Sequence, residues 1–179
     1  MASIYDTVSN WDTNVSYNKF QPIKYNNKYY YSLIENNITN NPGISSNLQT
    51  KWDGYILLNG QLIPNFFWKP SYNISAEFSP EIIISQFGNG YQQRSSAGIN
   101  PLLARFSLMF ENRSERETVS ILHFLKEREG KEAFIYNPPT IYQKPNNEIT
   151  TKYASVSWKS SYISYNIYNI EAGFVEVPA

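Results

Sequence analysis

The chain has 179 residues, enough for one hydrophobic core or for one core with a small accessory module beside it. Its 15 basic and 15 acidic residues cancel, so no overall field draws it to nucleic acid or to an anionic membrane. The absence of cysteine rules out disulfides, thiolate nucleophiles and Cys-type zinc sites together.

No stretch reads as a signal peptide, and apolar runs such as Ile82-Ile83-Ile84 fall far short of the roughly twenty residues of a membrane helix, so the expectation is a soluble chain. The abundance of Tyr, Phe and Trp favours strands without choosing a function, because stiff rings with a polar handle suit sheets, sugar platforms and protein interfaces alike.

Residues 1–55 are dense in Asn, Tyr and Ser, with turn formers at Asn26-Asn27 and Asn41-Pro42-Gly43. They read as a small all-β module in which Trp11, Tyr29, Tyr31 and Trp52 supply much of the buried area. Residues 56–65 read as a linker, with a turn at Asn59-Gly60 and Pro64 closing it. Residues 66–179 read as a second domain. There, 81–87 form a β-branched run leading into the Gly88-Asn89-Gly90 turn, and Leu102, Ala104, Phe106, Leu108 and Phe110 share one face of a half-buried strand. A single helix follows, capped by Ser114 and Glu117, with Thr118, Ile121, Leu122 and Leu125 as its apolar stripe and Gly130 at its end. Residues 133–136 are a short strand stopped by Pro138-Pro139, and a polar hairpin or loop runs to about 151. Alternation resumes in Ala154, Val156 and Trp158. The stretch 162–177 reads as one long strand whose apolar set changes phase, from Ile163, Tyr165 and Ile167 to Ile170, Ala172 and Phe174. That predicts a β-bulge near Tyr168 and a strand able to serve two sheets.

The string Phe87-Gly88-Asn89-Gly90-Tyr91-Gln92-Gln93-Arg94 has no third glycine, no Gly-Lys-Ser/Thr and no helix after it, so it is a corner and not a phosphate loop. Gly88 and Gly90 permit the tight backbone, Phe87 and Tyr91 anchor it by packing, and Arg94 is placed to reach a neighbour. His123, the sole histidine, falls inside the helix between Leu122 and Phe124 and reads as a buried or flanking residue, not a general base. Glu111, Glu115, Glu117, Glu127, Glu129 and Glu132 are interleaved with Arg113, Arg116, Lys126, Arg128 and Lys131, the pattern of a solvated face with ion pairs. No Asp/His metal spacing occurs, and the Asp residues are Asp6, Asp12 and Asp53. The expectation is no catalytic residue, no metal and no cofactor. Asn-x-Ser/Thr triplets at Asn14, Asn37, Asn73 and Asn112 read as chance in so asparagine-rich a chain.

The order of these features carries a resemblance. Phe67-Trp68-Lys69-Pro70, "FGNGYQQRSSAGIN", "ILHFLKEREG", "AFIYNPP" and "VSWKSS" follow one another as in the minor tail protein M family of phage lambda and other long-tailed phages, over residues 66–178. Asn89 stands where that family usually has Asp, which removes a charge and keeps the turn chemistry; the insert at 140–151 is longer. The resemblance implies a mainly β fold, a sandwich or barrel-like domain with one α-helix, preceded by the small all-β module. It implies a structural virion protein of the tail tip, made in the host cytoplasm. Such a protein forms a homo-oligomeric ring, roughly a hexamer, between tail tube protein and hub or fibre proteins, with DNA only as cargo through its channel. Interface candidates are Phe87, Gly88, Gly90, Tyr91, Arg94, Ile163, Tyr165 and Tyr168. Residues 5–55 are similar to small chitin-binding-like carbohydrate modules, through Trp11, Tyr17, the strand pair about 23–30, Pro42 and Trp52. That implies host polysaccharide as a partner, with Trp11, Tyr17, Tyr30, Trp52 and Tyr55 as candidate stacking rings, although the same rings serve equally as the module's core. A carbohydrate-binding adhesion protein and a cell-wall glycan hydrolase are the alternatives.

Overall fold

In the computed structural model, residues 8–71, 74–98, 102–143 and 151–178 are described. Asn73, Ile99-Asn100 of the diagnostic string and most of the 140–151 insert lie outside them.

The fold is mainly β with one α-helix. In the N-terminal unit, β1 (Pro22–Tyr25) and β2 (Lys28–Ser32) form a hairpin whose two-residue turn, Asn26-Asn27, takes positive φ at both positions. The short β3 (Trp52–Asp53) pairs with the other side of β2. Because strand neighbours alternate faces, Tyr30 and Tyr31 point into different cores. Tyr30 joins Tyr17, Ile23, Trp52 and Tyr55 inside the unit, with Trp11 packed against them from the edge. Tyr31 belongs to the larger core of the rest of the chain. Tyr29, expected in the unit's core, is half-buried and lies edge-on to His123 instead.

Residues 56–65 are not a spacer. They form β4 (Tyr55–Leu58) and β5 (Gln61–Phe66), an antiparallel hairpin turning at Asn59-Gly60, and β5 enters the main sheet parallel to β10 (Phe134–Tyr136). Pro64 is accommodated inside β5, so it does not close the segment. The sheet has seven strands in the order β4-β5-β10-β11-β12-β9-β6, where β6 is Ser75–Pro80, β9 is Leu102–Ser114, β11 is Lys152–Ser164 and β12 is Ile167–Val177. Neither this nor any other sheet among the described residues closes into a barrel.

One face of the sheet carries Phe66, Ala104, Phe106, Leu108, Phe110, Phe134, Ile170, Ala172 and Phe174, and α1 (Glu115–Arg128) packs on it with Ile121, Phe124 and Leu125. Leu102, expected on that face, sits at the strand's end and is exposed. Ser114 caps α1 by accepting the Glu117 amide, while the Glu117 carboxylate pairs with Arg113 at 3.0 Å. Residues 120–125 are all buried. A helix covered on one side shows a stripe; here the sheet covers one side and the N-terminal unit the other. The helix ends with Glu129 in the left-handed region, followed by Gly130 at φ 69°, where a Cβ would stand 2.7 Å from the Ser155 carbonyl oxygen.

The stretch 162–177 is not one strand. Tyr165 and Asn166 form a tight turn, and β11 and β12 pair antiparallel along their lengths. The phase change in the apolar pattern therefore comes from a chain reversal, although a register shift between Tyr168 and Ile170 does occur where β12 meets β9. A second irregularity explains Trp158. Val156 is an extra residue between Ser155, opposite Phe174, and Ser157, opposite Gly173. The bulge leaves Ala154 and Val156 on the face away from the helix and turns Trp158 back to the side of Ala172.

Candidate assembly surfaces

Beyond Pro80 and Leu102 the β6–β9 pair continues as a two-stranded arm, β7 (Ile82–Gln86) with β8 (Gln92–Ser96). The Ala97 amide donates to the Glu81 carbonyl at 2.9 Å, which extends the arm's pairing back toward Pro80. At the tip the Phe87 amide donates to the Tyr91 carbonyl at 2.8 Å, with Asn89 at φ 67° and Gly90 at φ 82°. Asn89 and Gly90 thus supply the corner, and Gly88 lies outside the left-handed region. Phe87 and Tyr91 do not anchor it by packing. They are 57% and 76% exposed, because the arm stands clear of both cores. Ile82, Ile83 and Ile84 are about half exposed as well, and Arg94 faces Ile84 across the pair. A bare two-stranded hairpin is marginal in water, so such a surface calls for a partner.

The β11–β12 turn makes a second projection. Tyr162, Ile163 and Tyr165 are exposed, while Tyr168 is half-buried with its ring 5.5 Å from that of Tyr162. The Asn166 side chain accepts the Glu115 amide at 3.2 Å, fixing the turn against the start of α1. The register places the two projections apart: the arm leaves beside Leu102 and the turn lies beside Ser114, at opposite ends of β9. Twelve residues at about 3.3 Å each separate them by roughly 40 Å.

Among the described residues the main sheet is open on the outer sides of its end strands, β4 and β6, and along most of one side of β11. On the outer side of β6 no strand pairs. On the side of β11 away from β12, only Lys152 and Tyr153 have a partner, in β10. The chain returns from α1 past Ser155, with Gly130 close to its carbonyl, and β10 begins only at Phe134, opposite Tyr153. From Val156 to Ser164 that edge is bare, flanked by the exposed Val156, Tyr162 and Ile163. Sequence reading missed these edges, and the signal for the bare side of β11 was the shortness of the strand before Pro138.

The rings expected to stack on sugar are mostly out of reach. Tyr17, Tyr30 and Trp52 are at most 2% exposed and Tyr55 is buried, and the Trp52 indole N–H donates to the Asn40 carbonyl. A module this small has no aliphatic core to spare, so its rings are consumed by packing. Trp11 alone keeps exposed area, edge-on to Tyr25 at 5.8 Å.

The N-terminal unit is seated on α1. The Tyr31 hydroxyl and Nδ1 of His123 share a hydrogen bond at 2.9 Å, the Ser120 hydroxyl donates to the Phe20 carbonyl, and Arg116 meets Glu35 at 3.3 Å. Burial first, then Lys126 and Arg128, push the pKa of His123 down to about 4, so the ring is neutral. Burial raises Tyr31 well above the usual tyrosine range. Asp53, also buried, is raised to about 6, although its Oδ1 accepts from the Gly54 amide and the Asn65 side chain. No cluster of three or more metal-ligating side chains occurs among the described residues.

Residues 64–178 match the family described as phage minor tail protein. The chain belongs to that family. Tail tip protein M of Escherichia phage lambda is 34% identical over 74 residues, a stretch covering 41% of this chain and 67% of the lambda protein. The minor tail protein described here is accordingly a structural component of a phage tail, located in the virion and in contact with other tail proteins.

Proposed function

We propose that this minor tail protein is the repeating subunit of a ring, roughly a hexamer, at the tail tip, and that the ring closes by pairing the open edge of β11 on one copy with the open edge of β6 on the next. Strand direction carries this reading. Along β11, β12, β9 and β6 each strand is antiparallel to the one before. When copies are related by rotation, β6 of one therefore meets β11 of the next in antiparallel sense, and the alternation continues around the ring. The contact is heterologous, as a cyclic ring of identical copies requires.

The face away from α1 carries Ser75, Ser107, Met109, Ser157, Lys159 and Glu171 around a shallow depression of about 570 Å³, which Ile74 and Trp158 also line. Small polar side chains and the paired Lys159 and Glu171, 3.1 Å apart, suit the wall of a channel through which DNA passes as cargo. The N-terminal unit, carried by α1, then lies on the outside. The two projections point along the axis, one toward tail tube protein and the other toward hub or fibre proteins. Any contact with host polysaccharide rests on Trp11. The work is assembly, without turnover. The test is a double variant, Val156→Glu with Ile163→Glu, which charges the bare edge while replacing only exposed side chains. It should fold with unchanged circular dichroism and fail to enter tails; tails that assemble at the parental rate would count against edge pairing.

A further inference from the structure

The geometry points to Asn89 as a self-modifying site, where the free subunit converts its own amide to aspartate or isoaspartate and so limits how long it stays competent to assemble. The step needs no enzyme. The backbone nitrogen of Gly90 attacks the Asn89 side-chain carbonyl carbon, loses its proton to solvent and expels ammonia, closing a five-membered succinimide. Water then adds at either ring carbonyl, which opens to aspartate or to isoaspartate. Glycine favours the attack because no Cβ shields its nitrogen. Two Asn-Gly pairs exist in the chain, both exposed and both in turns with positive φ: Asn59-Gly60 and Asn89-Gly90. Their surroundings differ. Asn59 is held between Leu58 and Gln61, whose hairpin is fastened to β10 and packed through Leu62. Asn89 caps an arm whose strands are exposed on both faces among the described residues, so its tip opens far more often to the geometry that cyclisation requires.

The aspartate product keeps the backbone. The isoaspartate product inserts a carbon into it at the corner, which shifts Tyr91 relative to Phe87 and spoils the tip as a contact. Burial of the arm in the assembled tail, the part of this inference that rests on the proposed function, would stop the reaction. The experiment ages the full chain in mildly alkaline buffer and follows both sites by peptide mapping, alongside assembled tails and an Asn89→Asp variant. Asn89 should convert several-fold faster than Asn59 in the free chain, with loss of assembly tracking the isoaspartate fraction, and Asn89→Asp should still assemble. Equal or slower conversion at Asn89, or isoaspartate subunits that assemble normally, would overturn the inference. Fast conversion in free chain and assembled tails alike would leave the site standing and contradict burial of the arm.

Discussion

Tyr31 and His123, ninety-two residues apart in sequence, meet through a buried 2.9 Å hydrogen bond that joins the N-terminal unit to the single helix. Removing the hydroxyl with Tyr31→Phe leaves Nδ1 of His123 buried without a partner, at a cost of about 1–3 kcal/mol. Urea denaturation should show that loss, and limited proteolysis should show the N-terminal unit cut earlier than the rest. An unchanged midpoint would mean that the seat depends on packing alone.

Acid should reveal two buried groups working against each other. His123 is held near 4 instead of 6.5, so between those values the unfolded chain takes up a proton that the folded chain refuses. Its contribution to stability is complete above about pH 6.5 and is lost as pH falls toward 4. Asp53 is raised from 3.8 to about 6, so the folded chain holds that proton longer and its penalty grows as pH rises through the same window. The parent should therefore be nearly flat from pH 4 to 6. Asp53→Asn keeps an oxygen for Gly54 and Asn65 and removes the titration, and its stability should climb by on the order of 2–3 kcal/mol over the window. A flat profile in the variant would contradict the assignment to His123.

Phe66 is the hub of the larger core, with Trp68, Phe110, Phe124, Phe134, Tyr136 and Phe174 all within 6.0 Å of its ring centre. Phe66→Ala should cost about 3–5 kcal/mol, read as a drop in Tm and a loss of near-ultraviolet circular dichroism.

Gly130 carries two constraints, a positive φ and a Cβ position 2.7 Å from a backbone oxygen that cannot move aside. Gly130→Ala should destabilise by more than the roughly 1 kcal/mol typical of the backbone effect alone. Because the clash falls on Ser155, hydrogen exchange should rise first at the start of β11.

Much of the core face is legible in the sequence because β9 and the second half of β12 are regular: Ala104, Phe106, Leu108 and Phe110 alternate cleanly, as do Ile170, Ala172 and Phe174. The helix is legible through Ser114 and Gly130. The burial of residues 120–125 all round is not, since periodicity within 115–128 carries no trace of the N-terminal unit lying across His123. Trp158 is misread because one extra residue, Val156, reverses the face of everything after it. Asn166 is misread because strand and turn share the same tyrosine- and isoleucine-rich composition there. The assembly surfaces are hardest to see. Ile82, Ile83 and Ile84 read as a β-branched run, and only the structure shows that they are about half exposed, while the bare edge of β11 depends on where the chain returns from α1.

The most direct test of ring closure is a reconstruction of the intact tail tip at a resolution that traces strands. The account predicts copies of this chain related by rotation about the tail axis, with β11 of each hydrogen-bonded to β6 of the next and the polar face of the sheet turned to the channel. A β11 edge facing solvent in the assembled tail, or copies that touch only through their N-terminal units, would contradict it.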